Sequence, residues 1–318
     1  MKEIGGYLEI EHYNGKEFYD YLTFSSSRNS LRFIVRSRKI KKIYLPYYLC
    51  SVVKEALMKE KVEIIYYHIN ESFEPIIDNY DGKSYVYIVN YFGLLSGDDI
   101  FKIKAKYNNI ILDNTHSFFM QGFDYIDTIY NCRKYFGVPD GSYLYTKLLL
   151  DSDYKETKSI NRIKHIFGRY EENANMYYND FLKADESFAN GDIELMSKIT
   201  HNLLRSIDYK YVEDKRKDNF NYLNNKLSNI NGIKTDEGKN CTFMYPLLVE
   251  NGNIIKQMLN KNKIYIPTLW PELQNISLNE FEKRLLNDLV LLPIDQRYDF
   301  DDMEFILDTI YKIQMEVL

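Results

Sequence analysis

The feature that most constrains this chain is the alternation, across residues 41–150, of short β-branched and aromatic runs with segments of helical period. KKIYLP (41–46) predicts a strand, CSVVKEALMKE (50–60) the helix after it, and VEIIYYHI (62–69) a second strand. SYVYIVNYFG (84–93) is almost continuously apolar, as a strand buried on both faces must be. DDIFKIKAKY (98–107) predicts a helix and NIILDNTH (109–116) a buried strand ending in polar residues; IDTIY (126–130) and SYLYTKLLL (142–150) predict two more strands. This pattern predicts an α/β fold with a mostly parallel central sheet and helices on both sides.

Beyond about residue 155 the pattern changes. Residues 157–228 are charged and helical in period, broken only by Gly168 and Gly191, and predict two or three helices. The last part alternates again: TFMYPLLVE, KIYIPTLWP and LVLLPI predict strands, and NIIKQMLNKN, NEFEKRLLND and DDMEFILDTIYKIQMEV predict helices. A chain of 318 residues has room for about two domains. The expected division is a large domain over 1–210 and a small C-terminal α/β domain over 211–318.

Composition removes several function classes. The net charge of −5 argues against a general phosphate-backbone binder, which needs excess Lys and Arg. No apolar run approaches the roughly 20 residues of a membrane helix. The N-terminal MKEIGGYLEIEHYNG has no apolar signal core, which argues against secretion. Cys50, Cys132 and Cys241 are odd in number and widely spaced, so neither a disulfide framework nor a zinc site is expected, and a reducing cytoplasm fits. The 30 Tyr and 18 Phe against one Trp read as core filling and A/T-rich coding rather than a functional aromatic surface.

In an open parallel sheet, ligands sit at the carboxyl ends of the strands. Three constellations fall there. Ser25, Ser26 and Ser27 precede a helical pattern with Arg28 beside them; they can cap the helix or, with its free amides, hold a phosphate. Asp113 closes the strand NIILD, with His116 three residues on; alone, Asp113 reads rather as a loop cap and His116 as a hydrogen-bonded structural imidazole. Arg133 and Lys134 lie between a strand and the Gly-Val-Pro-Asp-Gly turn (137–141), where a partly desolvated lysine can form a Schiff base with an aldehyde. The order is phosphate site, carboxylate, then lysine. A pyridoxal phosphate enzyme of the aspartate aminotransferase fold needs that order: the carboxylate keeps the pyridine nitrogen protonated and the lysine binds the aldehyde.

The chain resembles the DegT/DnrJ/StrS sugar aminotransferases, which are fold type I pyridoxal phosphate enzymes. SSRNSL (26–31) is similar to that family's phosphate turn, IYLPYYLCSVV (43–53) to its strand–Pro segment, LDNTH (112–116) to its Asp motif and RKYFGVPDGS (133–142) to its Lys motif. The tail from KIYIPTLWP through LVLLPIDQRYDFDDMEFI is similar to its small domain. The resemblance implies pyridoxal 5′-phosphate as cofactor. It implies Lys134 and Asp113 as catalytic residues, Asp113 on the ring nitrogen and His116 on the ring hydroxyl. Ser26, Ser27 and Arg28 would hold the phosphate. Arg28 stands where the family has Thr. Cys50 replaces the stacking aromatic, which shifts that role to Tyr47 or Tyr48. Ile129 replaces a phosphate-binding Ser, which leaves Asn131 or Arg133 to substitute.

The implied activity is transamination of a nucleotide-linked keto-sugar in polysaccharide biosynthesis, with glutamate as amino donor. The implied assembly is a cytoplasmic homodimer in which Arg169, Asn190 or Asn202 completes the partner's site. Two alternatives stay open: another pyridoxal phosphate reaction on a sugar or amino acid, against whose dehydratase branch Lys134 argues, and a non-catalytic binding protein on the same fold.

Overall fold

The computed structural model describes residues 4–189, 191–235 and 241–317. The apolar runs form β1 (Leu22–Phe24), β2 (Lys42–Pro46), β3 (Glu63–Ile69), β4 (Pro75–Ile76), β5 (Tyr85–Val89), β6 (Ile110–Asp113), β7 (Asp127–Asn131) and β8 (Ser142–Tyr145). They make one eight-stranded sheet in the order β1-β8-β7-β6-β5-β2-β3-β4. The five central strands, β7 to β3, are parallel, whereas β8, β1 and β4 are antiparallel additions. From β2 the chain proceeds to β3 on one side and to β5 on the other. The gap between β2 and β5 is thus the topological switch point, where open α/β sheets leave a crevice.

Helices α1 (Ser27–Ser37), α2 (Ser51–Lys59) and α3 (Gly97–Lys106) connect these strands. Ser26 caps α1, its Oγ accepting from the Asn29 amide at 3.4 Å. Ser96 and Asp99 close a reciprocal capping box on α3. Ile43, Leu45, Val86, Ile88, Ile111 and Leu112 are buried in the core these layers share.

The described residues of 157–228 hold four α-helices rather than two or three: α4 (Lys164–Glu171), α5 (Tyr178–Glu186), α6 (Lys198–Leu204) and α7 (Tyr209–Leu227). The extra breaks come from capping residues inside an apparently continuous pattern. Ser197 accepts from the Thr200 amide and Asp208 from the Tyr211 amide, and each starts a new helix. The strand expected over 142–150 ends at Tyr145, where Thr146 turns aside to donate to Asp127 Oδ1 at 2.6 Å.

The C-terminal part pairs β9 (Tyr245–Leu248) with β10 (Leu289–Leu292) and packs α8 (Gly252–Lys261), α9 (Glu280–Asp288) and α10 (Phe300–Val317) around them. Phe220, Leu223 and Leu227 of α7 join Leu247, Val290, Leu292, Met303 and Ile310 in a second core. KIYIPTLWP is not a strand: Ile264 and Ile266 enter that core while the Ile266 amide bonds the Asn260 side chain at 2.8 Å instead of a ladder partner. Glu282 of α9, fully enclosed, accepts from the Ile69 amide at 3.0 Å and pairs with His68 at 2.7 Å. It fastens the C-terminal part to the β3 edge. No helix among the described residues is long and apolar enough to cross a membrane.

Candidate active site

A cavity of about 290 Å³ opens at the carboxyl ends of β2, β5, β6 and β7, near the lower end of the roughly 300–1,000 Å³ of small-ligand sites. Eight of the residues expected from sequence line it: Ser26, Ser27, Arg28, Asp113, His116, Asn131, Arg133 and Lys134. Tyr48 does not. Its ring is buried edge-on to Trp270, 4.8 Å between centroids, and against Tyr91. Tyr47 stacks instead on Tyr66 and His68. Cys50 faces the cavity where an aromatic was expected, and the rings that line it are Tyr87, His116, Phe181 and Trp270.

Asp113 ends an apolar strand and so reaches the cavity with its carboxylate buried. Oδ1 accepts from the Thr115 amide at 2.8 Å and Oδ2 from the Tyr87 hydroxyl at 2.7 Å. It therefore caps its loop and also faces the cavity. Burial pushes its pKa up, against the hydrogen bonds from Thr115 and Tyr87 and the Lys134 charge, which favour the anion. His116 lies flat between Phe92 and Phe243, with interplanar angles of 12° and 10°. The Phe92 amide donates to its Nδ1 at 3.4 Å, which leaves the ring proton on Nε2. Burial, then the Lys134 charge, holds its pKa down to about 3, so the ring is neutral.

Lys134 ends a single 3₁₀ turn (Cys132–Lys134) that follows β7. Its Nζ lies 5.0 Å from the Phe243 ring centroid, and no carboxylate among the described residues comes within ion-pair distance. Burial first, and the neighbouring Arg133 charge, depress its pKa. An amine so placed holds a larger neutral, nucleophilic fraction than a surface lysine. Lys147, the other lysine after a strand of this sheet, is by contrast exposed and paired with Asp124 at 3.3 Å.

The end of the cavity over α1 is cationic. Arg28 and Arg133 converge on Asp185 of α5, at 3.7 and 3.0 Å, and both guanidiniums stand over the Phe188 ring. Ser27 Oγ and Arg28 Nη1 are buried with no hydrogen-bond partner among the described residues. A buried donor without an acceptor is costly, and these two point to an anion at the helix N-terminus. Ile129 lies in the core opposite Asp113 and takes no part, whereas Asn131 lines the cavity and its Oδ1 accepts from the Arg133 amide at 3.0 Å.

Three contributors were not singled out from sequence. Tyr87 had a signal: it is two residues from Val89, on the same strand face, and both line the cavity. Asp185 and Trp270 had none, because long-range packing of α5 and of the 269–270 loop brings them in. Trp270 does so with a left-handed backbone, φ +53°.

No protein-family model matches the sequence, and no curated protein does. Solved structures do. A DegT DnrJ EryC1 StrS aminotransferase from Brucella abortus superposes with a TM-score of 0.63 at 13% identity, over 92% of this chain and 85% of that one. The chain has the fold of the sugar aminotransferases. NtdA from Bacillus subtilis, with bound cofactor PMP, gives 0.66 at 12% identity over 93% and 73% of the two chains. Helicobacter pylori PseC, an aminotransferase involved in the biosynthesis of pseudoaminic acid, gives 0.61 at 12% over 92% and 85%. The α/β architecture expected from strand alternation is thus the fold type I architecture.

Proposed function

We propose that this chain is a pyridoxal 5′-phosphate-dependent aminotransferase that transfers an amino group from an amino acid, glutamate, to a nucleotide-linked keto-sugar in polysaccharide biosynthesis. The observation that carries the reading is the convergence of Asp113, His116 and Lys134 with the unpartnered donors of Ser27 and Arg28 in one cavity. The residues fit the cofactor: an aldehyde-reactive amine, a carboxylate for a pyridinium, a flat neutral imidazole and a cationic end for a phosphate. When bound, the group supplies an electron sink for carbanion chemistry.

The chain's own residues do the rest. Ser26, Ser27, the amides of the first turn of α1, Arg28 and Arg133 hold the anion. Asp113 would hold a proton on the ring nitrogen, and Asn131, accepting from the Arg133 amide, orients the turn that carries Lys134. Lys134 would be the amine that holds the cofactor's aldehyde, and its Nζ would serve as the base and then the acid that moves the proton at the substrate carbon. Phe181, Leu269 and Trp270 wall the cavity against water.

The division at 210/211 belongs to the same reading and is supported by α7 feeding the second core. A cytoplasmic site of action is supported by three free cysteines. A homodimer is supported by the uncovered Phe167, Tyr170, Met176 and Tyr178 of the α4–α5 region. Of the residues expected to reach a partner, Arg169 is exposed, Asn202 is already bound to Glu11 and Tyr13, and Asn190 lies outside the described residues. The test is a spectrum. Protein incubated with pyridoxal 5′-phosphate and freed of the unbound cofactor should stay yellow, and Lys134→Ala should keep no borohydride-fixable cofactor; a wild-type protein left colourless would make it a binding module.

A further inference from the structure

Tyr87 does something for this site that the fold alone does not require. It sits in β5 directly opposite Ile111 of β6, while Val89 is opposite Asp113. Its side chain therefore reaches diagonally along the sheet to place its hydroxyl 2.7 Å from Asp113 Oδ2. The ring is buried and lines the cavity wall. Its backbone carbonyl is in turn held by the Tyr67 hydroxyl at 2.6 Å. The hydroxyl has one proton and Asp113 is the acceptor.

A carboxylate that ends a strand can rotate about its last torsion, and a buried one with a single donor tends toward the neutral acid. Thr115 fixes Oδ1 from the loop side. Tyr87 fixes Oδ2 from the sheet side, so the carboxylate plane has no remaining freedom and both oxygens keep lone pairs for the cavity. A phenylalanine would fill the same space without that restraint.

We propose that Tyr87 is a positioning residue for Asp113, which sets the carboxylate plane that a pyridine ring meets; this rests on the cofactor reading above. The effect works on the ring and not on the phosphate, because the one hydroxyl proton of Tyr87 goes to Asp113, and among the described residues no hydrogen bond joins the Tyr87 side chain to Ser26, Ser27, Arg28 or Arg133.

The experiment is a binding cycle on the full chain with Tyr87→Phe, Asp113→Asn and the double variant, using pyridoxal 5′-phosphate followed by absorbance and inorganic phosphate as competitor. Tyr87→Phe should weaken pyridoxal phosphate roughly ten-fold or more, the scale of a hydrogen bond to a charged group. Phosphate affinity should hardly move. The pH dependence of the bound spectrum should shift in Tyr87→Phe, and the substitution should cost nothing further once Asp113 is Asn. Equal losses for pyridoxal phosphate and phosphate, or an undiminished loss in the Asp113→Asn background, would show that Tyr87 only packs the wall and would overturn the proposal. Asp113→Asn weakening the cofactor while Tyr87→Phe leaves it unchanged would overturn the proposal alone. An Asp113→Asn variant with wild-type affinity would overturn the cofactor reading and this proposal with it.

Discussion

Asp185→Asn is expected to tighten anion binding, although it removes an ion pair. The carboxylate stands 3.0 Å from Arg133 and 3.7 Å from Arg28, the two cations an incoming phosphate would use. An anion on the same guanidiniums comes within roughly 5 Å of Asp185. Two unit charges at that distance repel by about 0.8 kcal/mol in water and about 3 kcal/mol at an effective dielectric of 20. Asp185 is 45% exposed, which favours the lower figure, and a phosphate carries nearly two charges. The expected gain is therefore about 1–2 kcal/mol, or roughly 5- to 30-fold in Kd. Stability should fall by more than the roughly 0–1 kcal/mol of an exposed ion pair, because the Arg28 and Arg133 side chains are only 17% exposed and keep their charge. Calorimetric titration with inorganic phosphate and with pyridoxal 5′-phosphate, at about 0.05 and 0.5 M salt, reads both the gain and its screening. Unchanged or weaker binding by Asp185→Asn would refute this reasoning and assign Asp185 to holding the arginines in place.

Asp113→Asn should retain some cofactor and lose transamination by roughly 10- to 150-fold or more, the worth of a charged hydrogen bond; steady-state kinetics on a keto-sugar nucleotide checks it. His116 should make the wild-type protein acid-sensitive. Its folded pKa is depressed to about 3 against about 6.5 unfolded, so the unfolded chain binds the extra proton. Its contribution is complete above about pH 6.5 and is lost as pH falls toward 3, at up to about 1.4 kcal/mol per pH unit. Urea denaturation of wild type and His116→Gln at pH 7 and 5 should show the difference between them shrinking at pH 5. Sedimentation at micromolar concentration should show a dimer; a monomer that binds cofactor tightly would mean that Arg28, Arg133 and the serines suffice within one chain.

Much of this was legible because the site hangs on strand ends. Asp113 after three apolar residues and Lys134 after IDTIY could be placed from period and polarity alone, since a buried parallel strand delivers its last residue to the crevice. Ser26 was legible as a cap for the same local reason. Tyr48 was misplaced because two adjacent tyrosines give no sign of which enters the core, and the Trp270 loop decided it. KIYIPTLWP reads as a strand, yet its isoleucines are buried by α8 and not by a ladder. Asp185 was invisible: a carboxylate in a charged helix looks solvated until α5 folds over α1.

Lys134 is proposed as the residue to which the cofactor attaches. Incubating the protein with pyridoxal 5′-phosphate, reducing with borohydride and mapping peptides by mass tests it directly. A stoichiometric phosphopyridoxyl group on Lys134 is expected, with its loss in Lys134→Ala. A stoichiometric label on another lysine, such as the exposed Lys147, or scattered substoichiometric labelling that leaves Lys134 free, would contradict it.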